Sequence, residues 1–190
     1  VDLVMAAQFV RPRSVAEMRN MAGGMICLAI SNEAARILGL MYMHDMLRRI
    51  STNNFTLSKI IFGITPYGDK PSFSISINHI DTYTGITDTD RALTISEMAK
   101  ICTEMNNDGR DQFVRYFRTP GHVPLLIAAK GLIQERMGHT ELGVYLMKLA
   151  NLVPSVVICE MLDSETYKAL NIQKAKAVSY THLRAHETPE

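Results

Sequence analysis

The chain has 190 residues, of which 47% are hydrophobic and 21% are charged, and its formal net charge is +1. This composition is that of a globular protein with a core of its own, and the near-neutral charge argues against nucleic acid or an anionic membrane as a partner. No apolar run approaches the roughly 18 residues that span a bilayer. The three cysteines are isolated and odd in number, which indicates free thiols in a reducing compartment. We therefore expect one cytoplasmic domain.

Short apolar runs alternate with helical stretches in the first 80 residues. Ser14 and Glu17 have the spacing of a capping box, which predicts the start of the first helix. Residues 41–71, with several turn formers at 62–69, are interpreted as a partly helical excursion. Apolar and polar side chains alternate strictly at 73–78, which predicts the clearest strand. The other elements predicted here are strands at 1–7 and 25–30 and a short helix from a cap at Asn32 to Gly39.

Polar turns separate the predicted elements in the second half of the chain. A second capping box, at Thr94 and Glu97, predicts a helix that runs to about residue 105. Residues 118–124 are interpreted as a rigid turn with His122 at its tip. The later predicted elements are a helix at 142–151, a strand at 155–160 and a helix at 166–177. Strands that alternate with helices predict a layered α/β or α+β domain around a mixed sheet.

Residues 136–141 place an arginine, a glycine, a histidine, a hydroxyl and a carboxylate at the start of a predicted helix. The amide N–H groups and the positive dipole end of such a helix suit a phosphate, and the planar guanidinium of Arg136 matches phosphate oxygens. His139 can ligate a metal through a neutral ring nitrogen. Taken alone, the stretch is explained more simply by helix capping through Thr140 and Glu141, with Arg136 as a solvated surface charge.

Polar groups recur where predicted strands end or helices begin, and in layered α/β proteins such positions line ligand clefts. They include groups suited to acid/base chemistry and to metal binding. Turn, surface or core roles remain open for each of them, and Cys27 is best explained as a small core residue. The residues in this pattern are Asp2, Thr84, Asp88, Asp90, Arg91, His122, Arg136, His139, Thr140, Glu141 and Glu160. By themselves they indicate a phosphate- or metal-binding domain and leave open whether it is an enzyme.

A series of motifs in one order resembles the 3,4-dihydroxy-2-butanone 4-phosphate synthase family, and above all its archaeal-type members. The most specific motifs are Pro120–Val123, Gly138–Glu141 and Cys159–Glu160. The other matching ranges are 2–9, 22–27, 73–79, 84–92 and 150–154. The matches around the three motifs extend over 118–123, 136–141 and 159–161. The resemblance covers about residues 2–177, and it implies that family's three-layer α-β-α fold with a mixed sheet.

The resemblance also implies a reaction and a site. The family is a lyase of riboflavin biosynthesis that converts D-ribulose 5-phosphate into L-3,4-dihydroxy-2-butanone 4-phosphate and formate with Mg²⁺ or Mn²⁺, as a homodimer whose sites use both chains. Matching positions imply His139 as the metal ligand and His122 with Glu160 as the essential acid/base pair. The implied substrate-binding residues are Asp2, Thr84, Arg136, Met137, Gly138, His139, Thr140, Glu141 and Glu160. Those implied to lie near the site are Cys27, Asp88, Asp90 and Arg91.

Two stretches depart from the family's pattern. In the family an acidic loop, which carries a second metal ligand, precedes the first strand, and here only its last residue, Asp2, is present. We therefore expect weak metal binding and little or no activity from this chain. Residues 178–190 share nothing with the family and are expected to form a tail outside a single domain at 1–177. The alternatives are a non-catalytic phosphate- or nucleotide-binding relative of similar fold, which the near-neutral charge disfavours, and a structural subunit that has lost its chemistry.

Overall fold

The computed structural model describes residues 1–61, 70–103 and 108–183. Within these ranges five strands form one sheet in the order β1-β5-β2-β4-β3. The strands are β1 (Asp2–Ala6), β2 (Gly23–Ile30), β3 (Phe73–His79), β4 (Phe117–Ile127) and β5 (Ser155–Met161). The helices are α1 (Pro12–Met21), α2 (Asn32–Leu38), α3 (Met43–Ile50), α4 (Phe55–Ile60), α5 (Asp88–Thr103), α6 (Gly109–Tyr116), α7 (His139–Leu149) and α8 (Ile172–Val178).

Helices cover both faces of the sheet, so the fold has three α-β-α layers. One face packs against α1, α2, α5 and α6, and its core includes Leu28, Ile77 and Val157. The other face packs against α7, where Val144 meets Val156 of β5. β2 runs parallel to β4, whereas the remaining pairs of neighbouring strands are antiparallel. The predicted fold class is therefore confirmed, with a mixed sheet between two helical layers.

Strands were predicted at 1–7, 25–30, 73–78 and 155–160, and the structure has a strand at each of these places, although the first ends at Ala6 and a 3-10 helix begins at Ala7. The described part of the excursion at 41–71 is helical, as α3 and α4. The turn formers at 62–69 and the predicted end of α5 near residue 105 lie outside the described residues. None of the helices in the described ranges is both long enough and apolar enough to cross a membrane.

The capping boxes predicted at Ser14 and Thr94 are wrong. α1 begins earlier, at Pro12, which suits a first helical position because proline has no N–H to leave unpaired. Ser14 instead accepts a hydrogen bond from the backbone N–H of Arg11 (3.3 Å). The hydroxyl of Thr94 lies inside α5 and donates to the carbonyl of Asp90 (3.0 Å). In both cases the residue that was predicted to cap the helix lies inside a helix that begins at an earlier residue.

Three other boundaries also differ from the prediction. The side chain of Ser31, not that of Asn32, caps α2 by accepting from the Ala34 N–H (3.1 Å). α7 begins at His139 instead of residue 142, so the histidine belongs to the first helical turn. The helix predicted from residue 166 begins only at Ile172 and ends at residue 178. The boundary at 177 between a domain and a tail stays a prediction.

The rigid turn predicted at 118–124 is wrong, because these residues belong to β4. Ile77 of β3 pairs with Val123, whereas the next residue, Asn78, pairs with Arg118. Residues 119–122 therefore bulge out of the β3–β4 ladder. Such bulges re-aim side chains at the edge of a sheet, and this one carries His122.

Candidate active site

A cleft of about 230 Å³ lies on the face of the sheet that α7 covers. It brings together polar groups from separated parts of the chain, together with a few apolar side chains. The polar groups and the thiol that line it are Asp2, Cys27, Ser72, Arg136, His139, Thr140 and Glu160. All of them except Ser72 belong to the predicted site, so this cleft is the candidate active site.

The antiparallel pairing of β1 with β5 places Asp2 directly opposite Glu160. Glu160 is exposed at the end of β5, and its Oε2 accepts a hydrogen bond from the Met25 backbone N–H (3.1 Å). Two carboxylates therefore meet at one end of the cleft. A carboxylate that is held by one oxygen in this way is suited to moving protons or to facing a cation.

His139 and Asp2 form a pair at this end of the cleft. The His139 Nδ1 lies 2.7 Å from Asp2 Oδ2, and the side chain of Asp2 is 7% exposed while that of His139 is 64% exposed. A carboxylate at Nδ1 holds the proton there in the neutral ring, which leaves the Nε2 lone pair for a metal ion. The exposed ring of His139 therefore presents an unprotonated nitrogen of the kind that can bind a metal ion.

The described residues fit a divalent cation only loosely. They contain no group of three or more His, Cys, Asp or Glu side chains that could hold a metal ion. Mg²⁺ usually keeps several water molecules and takes one or two protein ligands together with substrate oxygens. His139, oriented by Asp2, fits such a site as a single protein ligand.

Arg136 is held at the other end of the cleft by two side chains. Its Nη1 lies 2.6 Å from Ser72 Oγ and 2.8 Å from Glu141 Oε2. The other carboxylate oxygen of Glu141 accepts from the Ala129 N–H (3.0 Å). A Cβ on Gly138 would lie 2.5 Å from Glu141 Oε2 and 2.8 Å from Arg136 Nη1, so a larger residue here would displace this ion pair.

Glu141 does not line the same cleft as Asp2. Its side chain is 1% exposed, and it lies in a second cavity of about 250 Å³ that shares Ser72 and Arg136 with the cleft. Burial raises the pKa of Tyr42 in this second cavity, and the negative charge of Glu141 adds to the effect. The geometry therefore places Glu141 as the partner of Arg136. Met137, by contrast, is almost fully in solvent (96% exposed).

Cys27 lies in the floor of the cleft but is not a reactive thiol. It is 3% exposed. Burial raises its pKa to about 12, and the nearby charge of Glu160 contributes further. Only a thiolate is nucleophilic, so this side chain stays protonated and acts as a small packing residue next to the acids.

Thr84, Asp90 and His122 form a second group, which lies outside the cleft. They lie by β3 and β4, and β3 forms the edge of the sheet opposite β1. Asp90 Oδ2 accepts from the Gly85 N–H (2.8 Å) and from the Thr84 hydroxyl (3.4 Å). The hydrogen bond from Gly85 lowers the pKa of Asp90. Within one chain, the two predicted acid/base residues, Glu160 and His122, therefore lie in two separate places.

Asp88 and Arg91 join neither group. Asp88 Oδ2 lies 3.0 Å from Arg19 Nη2, and its Oδ1 lies 2.9 Å from Arg91 Nη2. The hydrogen bond from Arg19 lowers the pKa of Asp88. The Arg19–Asp88 pair connects α1 to α5 on the face of the sheet away from α7, and Arg91 supports it from within α5. This arrangement holds two helices together and lies outside the cleft.

Two polar residues at these places were not among the predicted site residues. Ser72 holds Arg136, which lies 64 positions later in the chain. Asn78 holds His122, which lies 44 positions later. No local pattern marks Ser72. Asn78 falls on the polar side of an alternating strand, where it reads as a surface residue although the structure buries it.

Comparison with known proteins identifies relatives along nearly the whole chain. The sequence profile of the family described as 3,4-dihydroxy-2-butanone 4-phosphate synthase matches residues 1–185. A protein of that name from Methanothermobacter thermautotrophicus is 42% identical over 181 residues, which are 95% of this chain and 78% of the relative. One from Archaeoglobus fulgidus is 47% identical over 175 residues, which are 92% of this chain and 74% of the relative.

Solved structures show the same relationship. The 3,4-dihydroxy-2-butanone 4-phosphate synthase of Candida albicans superposes with a TM-score of 0.72 at 28% identity, over 95% of this chain and 76% of that one. A synthase structure in complex with two magnesium ions superposes with a TM-score of 0.72 at 27% identity, over 94% of this chain and 76% of that one.

Proposed function

The chain belongs to the 3,4-dihydroxy-2-butanone 4-phosphate synthase family of riboflavin biosynthesis, and from this premise we propose how its residues carry out the reaction. The proposed substrate is D-ribulose 5-phosphate, and the products are L-3,4-dihydroxy-2-butanone 4-phosphate and formate. The substrate contains the same atoms as the two products together, so no external oxidant or reductant takes part. The observation that carries the proposal is the single cleft that joins Arg136, His139 and Glu160.

Arg136 and the start of α7 bind the phosphate in this proposal. The guanidinium offers paired N–H donors to phosphate oxygens, and Ser72 with Glu141 holds it in place. Thr140 lies in the first turn of α7, where backbone N–H groups and the helix dipole favour an anion. The phosphate thereby fixes one end of the substrate and leaves its carbonyl end toward Asp2 and Glu160.

His139 would hold the cation, with Asp2 keeping its ring in the form that leaves Nε2 unprotonated. Mg²⁺ is the ion that the solved relative contains, and Mn²⁺, which accepts similar oxygen and imidazole ligands, is the alternative. When bound, such an ion polarises a carbonyl and stabilises the negative charge of an enediolate.

Glu160 is the group in the cleft that is placed to move protons. Enolisation removes a proton from the carbon next to the carbonyl, and later steps return protons to carbon or to leaving oxygen. The exposed carboxylate of Glu160 lines the cleft beside His139. Loss of water from the enediol requires an acid as well, which is the role that we assign to His122.

His122 and Thr84 lie at the opposite edge of the sheet from Asp2, so we propose that a second copy of the chain brings them to the cleft. Both residues are exposed. Tyr83 and Ile86, which lie close to Thr84 in the chain, are exposed large apolar side chains. A homodimer that packs these surfaces together would complete each site with groups from both copies.

Mixing two inactive variants tests this arrangement. His122→Ala and Glu160→Gln should each abolish formate release from ribulose 5-phosphate. If the sites are shared, a mixed dimer has one intact site, and an equal mixture should recover about a quarter of the wild-type activity. No recovery after mixed dimers have been shown to form would contradict the shared site. Formate release by either variant alone at the wild-type rate would contradict the residue roles.

A cytoplasmic location also belongs to this proposal. All three cysteines are free and buried in the structure. Free thiols are typical of proteins that stay in a reducing compartment.

A further inference from the structure

The side chain of Asn78 bridges β3 and the bulge of β4. It is 3% exposed. Its Oδ1 lies 2.8 Å from the backbone nitrogen of His122, and its Nδ2 lies 3.1 Å from the ring Nδ1 of the same residue. One buried amide therefore contacts both the backbone and the ring of His122.

The orientation of this amide follows from the backbone contact. A backbone N–H can only donate, so the amide atom that faces it has to be the oxygen. The flipped orientation would place the NH₂ group against the N–H of His122 and leave a buried donor unpaired, which is costly. The NH₂ group of Asn78 therefore faces the imidazole.

This orientation determines the form of the imidazole. The NH₂ group of an amide donates hydrogen bonds and does not accept them. Nδ1 of His122 must therefore accept, which requires that this nitrogen carries no proton. In the neutral ring the proton then resides on Nε2.

Packing keeps the amide of Asn78 from turning. A Cβ on Gly85 would lie 2.0 Å from Asn78 Nδ2, so the loop that carries Thr84 rests directly on the amide. Gly85 has a φ of +89°, a conformation that favours glycine, and Asp90 holds its N–H (2.8 Å). The amide is thus enclosed between this loop and the bulge.

We propose that Asn78 is a positioning residue that fixes the neutral ring of His122 with its proton on Nε2, so that His122 meets its substrate as a hydrogen-bond donor. The form of the ring follows from the geometry alone. Its use as the acid of the reaction rests on the proposed function. Asn78 itself acts only through His122.

The ring form can be measured without substrate by ¹⁵N NMR of the full chain at a pH where the ring is neutral. His122→Gln identifies the resonances of His122 among the other histidines. The wild type should show a protonated Nε2 and an unprotonated Nδ1. In Asn78→Asp both side-chain atoms are acceptors, so the proton should move to Nδ1. Asn54→Asp is the matched control. Asn54 caps α4 and not a residue near His122, and an aspartate caps a helix equally well.

An Nδ1 proton in the wild type, or the same ring form in wild type and Asn78→Asp, would overturn the proposal. In the formate assay, Asn78→Asp should lower kcat by about tenfold or more and leave KM within about twofold. A wild-type kcat in a variant whose ring form is inverted would overturn the catalytic part. If the wild type released no formate, the proposed function would fail, while the NMR result would still decide the role of Asn78.

Discussion

The guanidinium of Arg136 is fixed by the buried carboxylate of Glu141, whose Oε2 lies 2.8 Å from Arg136 Nη1. The same carboxylate accepts from the Ala129 N–H just after β4. Glu141 therefore links the start of α7 to the sheet. It also orients the guanidinium of Arg136, which is the group that we propose to bind the phosphate. We therefore expect the stability of the fold and its affinity for phosphate to be coupled through this one side chain.

Replacing Glu141 by glutamine should destabilise the fold. The variant keeps the shape of the side chain but loses a hydrogen-bonded charge, which costs about 1.5–3 kcal/mol. The free energy of unfolding in urea measures this loss. Glu17→Gln is the matched control, since it removes an exposed partner of Arg13 and should cost under about 0.5 kcal/mol. Equal effects of the two changes would contradict the role assigned to Glu141.

Ser72 should influence phosphate binding only through Arg136. Ser72→Ala and Arg136→Gln should each weaken the binding of inorganic phosphate, and their combined effect should be smaller than the sum of the two free-energy changes. Isothermal calorimetry on the two single variants and the double variant measures this coupling. Ser74→Ala serves as the control because the Ser74 hydroxyl binds the Met41 carbonyl instead (2.7 Å). Strict additivity would show that Ser72 does not position Arg136.

Asp2 should raise the affinity of His139 for a divalent cation. Loss of a carboxylate that orients a metal-binding histidine lowers metal affinity by about 10- to 100-fold, so Asp2→Asn should do the same. Titration with Mn²⁺, followed by electron paramagnetic resonance, reports binding independently of activity. The control is Asp45→Asn, which alters a carboxylate paired with Lys70. An unchanged Mn²⁺ affinity in Asp2→Asn would speak against the pairing with His139.

The buried thiols should make the fold less stable in alkali. Burial raises the pKa of Cys27 and Cys102 to about 12 and that of Cys159 to about 11. Below pH 9 both the folded and the unfolded chain keep these protons, so their full contribution is present. Above pH 9 only the unfolded chain releases them, and stability falls by up to about 1.4 kcal/mol per pH unit for each thiol.

Urea unfolding at several values between pH 8 and pH 10.5 measures this slope. Cys102→Ser should make the slope shallower, because one titrating group is removed while the others stay. An identical slope in the variant and the wild type would contradict a raised pKa at Cys102.

Periodicity located β1, β2, β3 and β5 because each of these strands is apolar or alternates over most of its length, as at residues 73–78 and 155–160. It missed β4, whose first half carries polar residues, a proline and a glycine. Capping patterns were a poorer guide. The spacing of Ser14 and Glu17 satisfies a capping box but falls inside α1, since a proline before it opens the helix. Local spacing does not reveal which of two possible starts the tertiary packing selects.

Most residues of the candidate site could be predicted from the sequence, but their arrangement could not. Motif resemblance assigned Arg136, His139 and Glu160, and the structure places these three in one cleft. The same motifs contain no information on distance, so the separate location of His122 could not be read from them. Ser72 and Asn78 were missed because each acts on a partner far along the chain.

The most direct test of the account is formate release from D-ribulose 5-phosphate in the presence of Mg²⁺, compared among the wild type, Arg136→Gln and Glu160→Gln. Motif comparison alone predicts little or no activity. Because the structure joins Arg136, His139 and Glu160 in one cleft, we predict instead that the wild type releases formate above the uncatalysed rate, in equal amount to the butanone phosphate, however slow its turnover. Arg136→Gln should raise KM, and Glu160→Gln should lower kcat by about 100-fold or more. Formate release by Glu160→Gln at the wild-type rate, or bound substrate with no formate from the wild type, would contradict the account.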